Sequence, residues 1–288
     1  MKSTPKVSVL LLTYNRAHVL PKTIESILNQ TYRDFELIVC DDCSTDDTEQ
    51  VIEQYAAKDS RVYYNRNPEN VKMPSNINMG ITKARGQYIA DLHDGDIYDS
   101  TLLEKWVQAL DACPKAAFVF NAYRVLDEQW NESCICREDL DSCFPGSVLL
   151  DEFFRRWRFD SPVFGMVMAR SSVYQELLPF DERFRLFADI DMWMRMAADH
   201  WVAYVNEPLM SLASKKTLPR LVDNQMWRTQ KIVEQIFLEG RMRYYANRPL
   251  RRFLEVLRHG FFVCCIRVYL ALICLKHALG IHRSLFSR

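Results

Sequence analysis

The sequence predicts an α/β protein built on a mixed, mostly parallel sheet with flanking helices. Three observations predict it. Short β-branched, apolar runs alternate with segments of helical spacing through residues 1–125. The first run, Val7 to Leu12, reads as continuously apolar, as in a strand buried on both faces. Polar clusters at 13–16, 41–47 and 93–96 each follow a strand-like run directly, and parallel sheets bind ligands at the carboxyl ends of their strands.

The elements follow in order. Val7 to Leu12 (VSVLLL) reads as a buried strand, broken by Thr13 to Arg16. Val19 to Asn29 places Val19, Leu20, Ile24, Ile27 and Leu28 at helical spacing, with Pro21 tolerated in the first turn. Phe35 to Cys40 is a second strand, ending in the cluster Asp41 to Asp47. Thr45 or Asp46 can cap the next helix, which runs to about Ala57. Arg61 to Tyr64 is a short strand, Ile77 to Ala84 a helix closed by Gly86, and Tyr88 to Leu92 a strand that runs into His93, Asp94, Gly95 and Asp96. Leu102 to Leu110 is helix and Ala116 to Phe120 strand. Asp127 to Phe159 has no clear period and reads as a loop-rich insertion over the site. Val163 to Ala169 is strand, Phe187 to His200 helix, Val202 to Val205 a last strand, and Trp227 to Leu238 a helix before a basic helical tail.

Composition sets limits. Apolar residues make up 49% of 288, enough for a real core, and the formal net charge is zero. The charge is uneven: residues 241–288 carry ten Lys or Arg against the single acid Glu255. That pattern suggests an acidic body with a basic tail that seeks an anionic surface, and nothing in it points to nucleic acid. The nine cysteines form no CxxC pair and no zinc framework, and they read as free thiols of a reducing compartment. The N-terminus shows no signal peptide.

The chemistry lies in the clusters. Asp94 and Asp96, one residue apart on a turn, can face one divalent cation; Mg²⁺ and Mn²⁺ take such oxygen ligands and keep positions open for phosphate. The same triplet also makes an ordinary Asp-Gly turn. Asp41 and Asp42 can accept hydrogen bonds from a uracil N–H or from ribose hydroxyls, or can cap the following helix. Neither a GxGxxG fingerprint nor a P-loop is present, so phosphate charge falls to metal and basic side chains. Arg16, Lys72, Lys83 and Arg85 are the candidates for that role. Tyr14 can stack on a base or simply pack.

The stretch from Val7 to Thr48 resembles the opening of glycosyltransferase family 2: a strand, TYNR, a helix with SILNQT, a second strand, then DDxSTD. Asn70, Asn76 and Gly86 to Ala90 (GQYIA) fit the family's next block, and Asp94 and Asp96 fall where the family places its metal-binding Asp-x-Asp. The resemblance covers residues 6–125 well and thins towards 210.

The resemblance implies a Rossmann-like GT-A domain over 1–225, with a nucleotide-binding half (1–125) and an acceptor half (126–225). Residues 226–288 form a separate helical basic segment. It implies an inverting, non-processive transferase that moves one sugar from a nucleotide-sugar, UDP by default, to an acceptor hydroxyl in cell-surface polysaccharide or glycolipid synthesis. Thr13, Tyr14 and Arg16 would line the nucleoside pocket, Asp41 with Asp42 would read base and ribose, and Asp94 and Asp96 would hold Mn²⁺ or Mg²⁺. Asp189 matches the family's catalytic base, with Asp191 as second choice. The sequence departs from the family at Ala188, where a Glu is usual, and in residues 208–216, which lack an Arg and a His; Lys215 or Lys216 could substitute. Trp130, Trp157, Phe159 and Phe164 can stack on sugar faces or pack.

Residues 261–275 are apolar except for Arg267. They are too short to span a bilayer, which takes roughly 20 residues, and suit a helix lying in the interface. The expected partners are therefore a nucleotide-sugar, a glycan or lipid-linked acceptor, and the cytoplasmic face of a membrane. Two rivals are a nucleotidyltransferase, which the absence of a glycine-rich phosphate loop argues against, and a degenerate nucleotide-binding scaffold of a membrane glycan-assembly complex, for which Ala188 argues.

Overall fold

The computed structural model describes residues 4–127, 129–156, 161–163, 165–213, 232–240 and 242. The chain divides into two compact units, Met1–Lys216 and Thr217–Arg288. In the second, residues 232–240 form a helix. The basic tail, Lys215, Lys216, Trp157, Phe159 and Phe164 lie outside the described residues. Among the described residues no helix is long and apolar enough to cross a membrane.

The first unit is an α/β sandwich. Its strands are β1 (Val7–Thr13), β2 (Phe35–Asp41), β3 (Val62–Arg66), β4 (Tyr88–His93), β5 (Ile97–Tyr98), β6 (Ala116–Leu126), β7 (Glu132–Cys136), β8 (Cys143–Pro145), β9 (Val167–Arg170) and β10 (Trp201–Ala213). The helices are α1 (Leu20–Leu28), α2 (Thr48–Lys58), α3 (Ser75–Ile81), α4 (Leu102–Ala112), α5 (Gly146–Arg156), α6 (Ser171–Leu177) and α7 (Ala188–Asp199), with a 3-10 segment at Glu182–Phe187. The sheet runs β3-β2-β1-β4-β9-β6-β10-β5. Pairing is parallel from β3 to β4 and between β6 and β10, and antiparallel on both sides of β9. The mixed, mostly parallel sheet is thus as expected.

The strand pleat sorts the core. On β1, β2 and β4 one set of alternate residues (Val7, Val9, Leu11; Leu37, Val39; Tyr88, Ala90, Leu92) packs in one cluster with Leu20, Ile24 and Ile27 of α1 and Trp106 of α4. The other set turns to the opposite face, where α3, α6 and α7 pack; there the rings of Phe118 and Trp193 lie 5.6 Å apart. Dense cover on both faces explains why the strands are apolar throughout.

Residues beyond 126 depart from the sequence reading. The stretch expected to be loop-rich forms β7, β8 and α5. Its short strands are added edge to edge onto β6 and β10, so backbone pairing rather than side-chain alternation defines them. The last strand is 13 residues long, not four, because β10 pairs with β6 through register shifts at Val205–Pro208 and Pro208–Met210. Cys113 and Cys143 form a disulfide, Cα atoms 6.2 Å apart, in place of the expected scattered thiols of a reducing compartment. Pairing of β8 and β6 with β10 brings the end of α4 beside Cys143, which spacing along the chain could not show.

Candidate active site

The polar clusters meet at the carboxyl ends of β1, β2 and β4. Backbone and side chains lace the first two together. The Asp42 N–H donates to the Thr13 carbonyl (3.0 Å), the Asn15 N–H to Ser44 Oγ (2.8 Å), the Thr45 N–H to Asn15 Oδ1 (2.7 Å), and the Ala17 N–H to Asp46 Oδ2 (3.1 Å). Asn15, Cys43 and Lys72 hold positive φ there (54°, 63° and 64°), as does Gly95 (86°). Non-glycine residues in this region are held by surrounding contacts, and such residues gather at functional sites.

Thr13 joins the third cluster. Its hydroxyl donates to Asp94 Oδ2 at 2.9 Å, and Arg16 Nε stands 3.9 Å from Asp94 Oδ1. The left-handed Gly95 turns the chain so that Asp94 and Asp96 flank it, and Thr23 anchors the turn: Gly95 N–H donates to Thr23 Oγ1 (3.1 Å), whose own hydroxyl donates to the Asp96 carbonyl (2.9 Å). The buried Tyr98 hydroxyl donates to the His93 carbonyl and accepts from the His93 N–H, closing the end of β4 onto β5. Tyr14 is 45% exposed beside this rim, open to a planar ligand.

Asp189 opens α7 across from the end of β4. A β-carbon added to Gly165 would stand 3.6 Å from Asp189 Oδ2 and 3.0 Å from His93 Cε1. The carboxylate and the His93 ring therefore flank one point above Gly165. Asp189 keeps partial exposure, yet so much protein surrounds it that burial pushes its pKa up to about 6, while N–H groups at the helix start, including that of Ile190 (2.8 Å), hold it back from rising further. A carboxylate with that pKa is ionised at neutral pH and a stronger base than an exposed aspartate.

Not every expected residue joins the site. Asp41 has no exposed surface: its carboxylate accepts from the Ser44 N–H, the Ser44 hydroxyl and the Tyr64 hydroxyl, with Arg66 Nε at 3.6 Å. Asp42, 5% exposed, accepts from Asn67 Nδ2 and from the Val71 and Lys72 N–H groups. Both fasten the loops that frame the site instead of facing a base or ribose. Lys83 and Arg85 lie in the turn between α3 and β4, at the amino ends of the strands. There the Arg85 guanidinium pairs with the buried Glu36 and its N–H donates to Ser8 Oγ. A surface hollow lined by Arg33, Glu36, Arg61, Tyr63 and Arg85 lies at that same end, away from the three clusters. Asp191, the second choice for the base, is 3% exposed and holds Arg195 Nε at 2.8 Å; Arg195 in turn donates to the Leu177 and Pro179 carbonyls. It anchors α7 to the end of α6. Trp130 is 47% exposed at the β6–β7 turn, with the Lys22 amine 4.6 Å from its ring centre.

Sequence reasoning missed Asp91 and Gly165. Asp91 is a carboxylate in the middle of the otherwise apolar run YIADL, and Gly165 is one of only eight glycines; both were signals. Asp91 is 1% exposed, and burial together with the Asp189 charge holds it well above the usual carboxylate range.

The donors at Asp94 and Asp96 are hard oxygens, suited to Mg²⁺ or Mn²⁺. Among the described residues no three His, Cys, Asp or Glu gather into a closed metal cage. Two carboxylates with the remaining positions taken by phosphate and water is the arrangement Mg²⁺ favours, so the residues fit such an ion.

The sequence model of the family described as "Glycosyl transferase family 2" matches residues 8–171. The chain is 33% identical over 207 residues to EpsE of Bacillus subtilis (strain 168), described as a glycosyltransferase, covering 71% of each. It is 41% identical over 93 residues to the GalNAc(5)-diNAcBac-PP-undecaprenol beta-1,3-glucosyltransferase of Campylobacter jejuni, covering 32% of this chain and 30% of that one. In fold it is similar to Staphylococcus aureus TarS 1–349 in complex with UDP (TM-score 0.61, 16% identity, 84% of this chain and 72% of that one). It is also similar to the mannosyltransferase PcManGT of Pyrobaculum calidifontis in complex with GDP-Man and Mn²⁺ (TM-score 0.60, 15% identity, 98% and 82%).

Proposed function

The chain belongs to glycosyltransferase family 2 and has its GT-A fold, and from that premise we propose that it transfers one sugar from a nucleotide-sugar, a UDP-sugar first, to an acceptor hydroxyl with inversion. The observation that carries the reading is Asp189: it stands at the start of α7, facing the His93 ring across Gly165 where β4 runs into Asp94 and Asp96, and burial pushes its pKa up to about 6.

Asp189 accepts the proton of the acceptor hydroxyl as that oxygen attacks the anomeric carbon, and the bond to the nucleoside diphosphate breaks on the opposite side. Thr13 orients Asp94 through its hydrogen bond, and Arg16 lies where it can offset phosphate charge. Tyr14 stacks on the base. Asp41 and Asp42 shape the nucleoside pocket by fixing loops 43–46 and 67–72. Asp94 and Asp96 would hold Mn²⁺ or Mg²⁺, which supplies charge neutralisation for the departing diphosphate.

The acceptor is a glycan or lipid-linked saccharide, in keeping with the undecaprenol-linked substrate in the name of the Campylobacter relative. The described part of the acceptor half, within residues 126–213, supplies its side of the site, and residues 226–288 bring the enzyme to the cytoplasmic membrane face through their basic charge. Deletion of 250–288 tests this: an unchanged membrane fraction would sink the anchoring role.

Calorimetry with UDP, GDP, dTDP and CDP, with and without Mn²⁺, tests the transferase reading. Metal-dependent binding of one nucleotide that is lost in Asp94→Ala supports it and names the donor class. Folded protein that binds none of them leaves the scaffold reading in its place.

A further inference from the structure

Among the buried polar atoms without a hydrogen-bond partner are Oδ1 of Asp91 on β4, the hydroxyl of Tyr174 on α6 and Nε1 of Trp193 on α7. Leaving such a group unsatisfied in the interior is costly, and internal water commonly satisfies polar groups that converge.

Their convergence follows from the fold. Asp91 and His93 leave β4 on the same face, opposite Ala90 and Leu92. On that face Asp91 interacts electrostatically with Cys40, Tyr174 and Asp189, and the His93 ring and Asp189 flank Gly165. Trp193 stands one turn after Asp189 on α7. The Phe180 ring joins the two aromatic members, 6.0 Å from Tyr174 and 5.9 Å from Trp193.

We propose that Asp91 is a positioning residue for the base: with the Tyr174 hydroxyl it holds an internal water that hydrogen-bonds on to the Asp189 carboxylate. This rests on the reading of Asp189 as the base. The charge states around it agree. Burial holds Cys40 as a neutral thiol, with its pKa pushed up to about 12, and raises that of the Tyr174 phenol. Burial and the Asp189 charge shift Asp91 towards its protonated, donating form. As a donor it stabilises the ionised base and fixes its rotamer. A second negative charge there would repel the base instead.

The test compares Asp91→Leu, Asp91→Asn and Tyr174→Phe with the unaltered protein in thermal unfolding, UDP affinity, donor KM, kcat and the acid limb of kcat/KM. Asp91→Leu is expected to unfold at a somewhat lower temperature, since it leaves the water and the Tyr174 hydroxyl without the Asp91 partner, and to keep UDP affinity and donor KM. It is expected to lose about tenfold or more in kcat and to move the acid limb to higher pH. Asp91→Asn, which keeps a neutral donor, restores most of both. Tyr174→Phe moves both in the same direction by less. Folded Asp91→Leu with unchanged kcat and acid limb overturns the proposal; if that variant does not fold, the same result in Tyr174→Phe does so. Asp189→Asn separates the two ideas. Retained turnover there removes the base itself, whereas lost turnover with no effect at Asp91 or Tyr174 removes only the positioning role.

Discussion

Gly165 leaves room for Asp189: a β-carbon on Gly165 would come within 3.6 Å of the Asp189 Oδ2. The same atom would press on His93 Cε1 at 3.0 Å, and Gly165 has φ of 55°, which side chains rarely adopt. Gly165→Ala is therefore expected to lower kcat by about tenfold through displacement of the His93 ring that faces Asp189 and to lower stability by about 1 kcal/mol. UDP affinity should stay within twofold or so. Steady-state kinetics beside calorimetry checks this.

The pKa of about 6 at Asp189 fixes the direction of two pH effects. The ionised base is lost as pH falls through that value, so kcat/KM should drop about tenfold per unit below it. Stability runs the other way. An unfolded aspartate titrates near ~3.9, so the raised folded value favours the folded state below ~pH 4, and this contribution is lost as pH rises through about 6. Asp189→Asn should then exceed the unaltered protein at pH 8 by on the order of 2 kcal/mol and show no such gain at pH 4. Urea unfolding at both pH values decides it.

The proposed cation site pairs Asp94 with Asp96. Asp94→Ala, Asp96→Ala or added chelator should each weaken UDP binding by about tenfold or more. Thr13→Val, which removes only the hydroxyl bonded to Asp94, should weaken it less. Titration calorimetry across Mn²⁺ concentrations reads all four.

Arg85 sits at the far end of the strands, where it pairs with the buried Glu36. Arg85→Ala should leave UDP affinity unchanged and destabilise by about 1 kcal/mol, the Arg85 side chain being half exposed and the pair partly screened. A loss of nucleotide affinity in folded Arg85→Ala would return Arg85 to the binding site.

Asp191 and Arg195 tie the start of α7 to the end of α6. Asp191→Ala leaves a largely buried guanidinium without its carboxylate and should lower stability by about 3 kcal/mol. At temperatures where the variant stays folded, kcat should change far less than in Asp189→Asn. Parallel melting curves and turnover rates test the difference.

The first half of the chain was legible because its signals are local. Buried parallel strands demand uninterrupted apolar runs, helices demand their spacing, and the polar clusters end the strands, so the sheet and the place of Thr13, Arg16 and Asp94 followed from the residues. The edge strands β7 and β8 and the length of β10 were not legible, because pairing with distant strands defines them. The roles within the site also divide. That carboxylates gather at the strand ends could be read from Asp41, Asp42, Asp94 and Asp96. Which way each one points could not. Tertiary contacts turned Asp41 and Asp42 inward onto loop N–H groups and hydroxyls, gave Asp191 to Arg195, placed Arg85 at the wrong end of the sheet, and brought Asp91 and Gly165 beside Asp189. The sequence by itself determined the fold class and the chemical types present. Only the packing of α6 on β9 and of α7 on β6 set the surroundings that raise the pKa of Asp189, because a pKa depends on the groups that surround it in space and not on its neighbours along the chain.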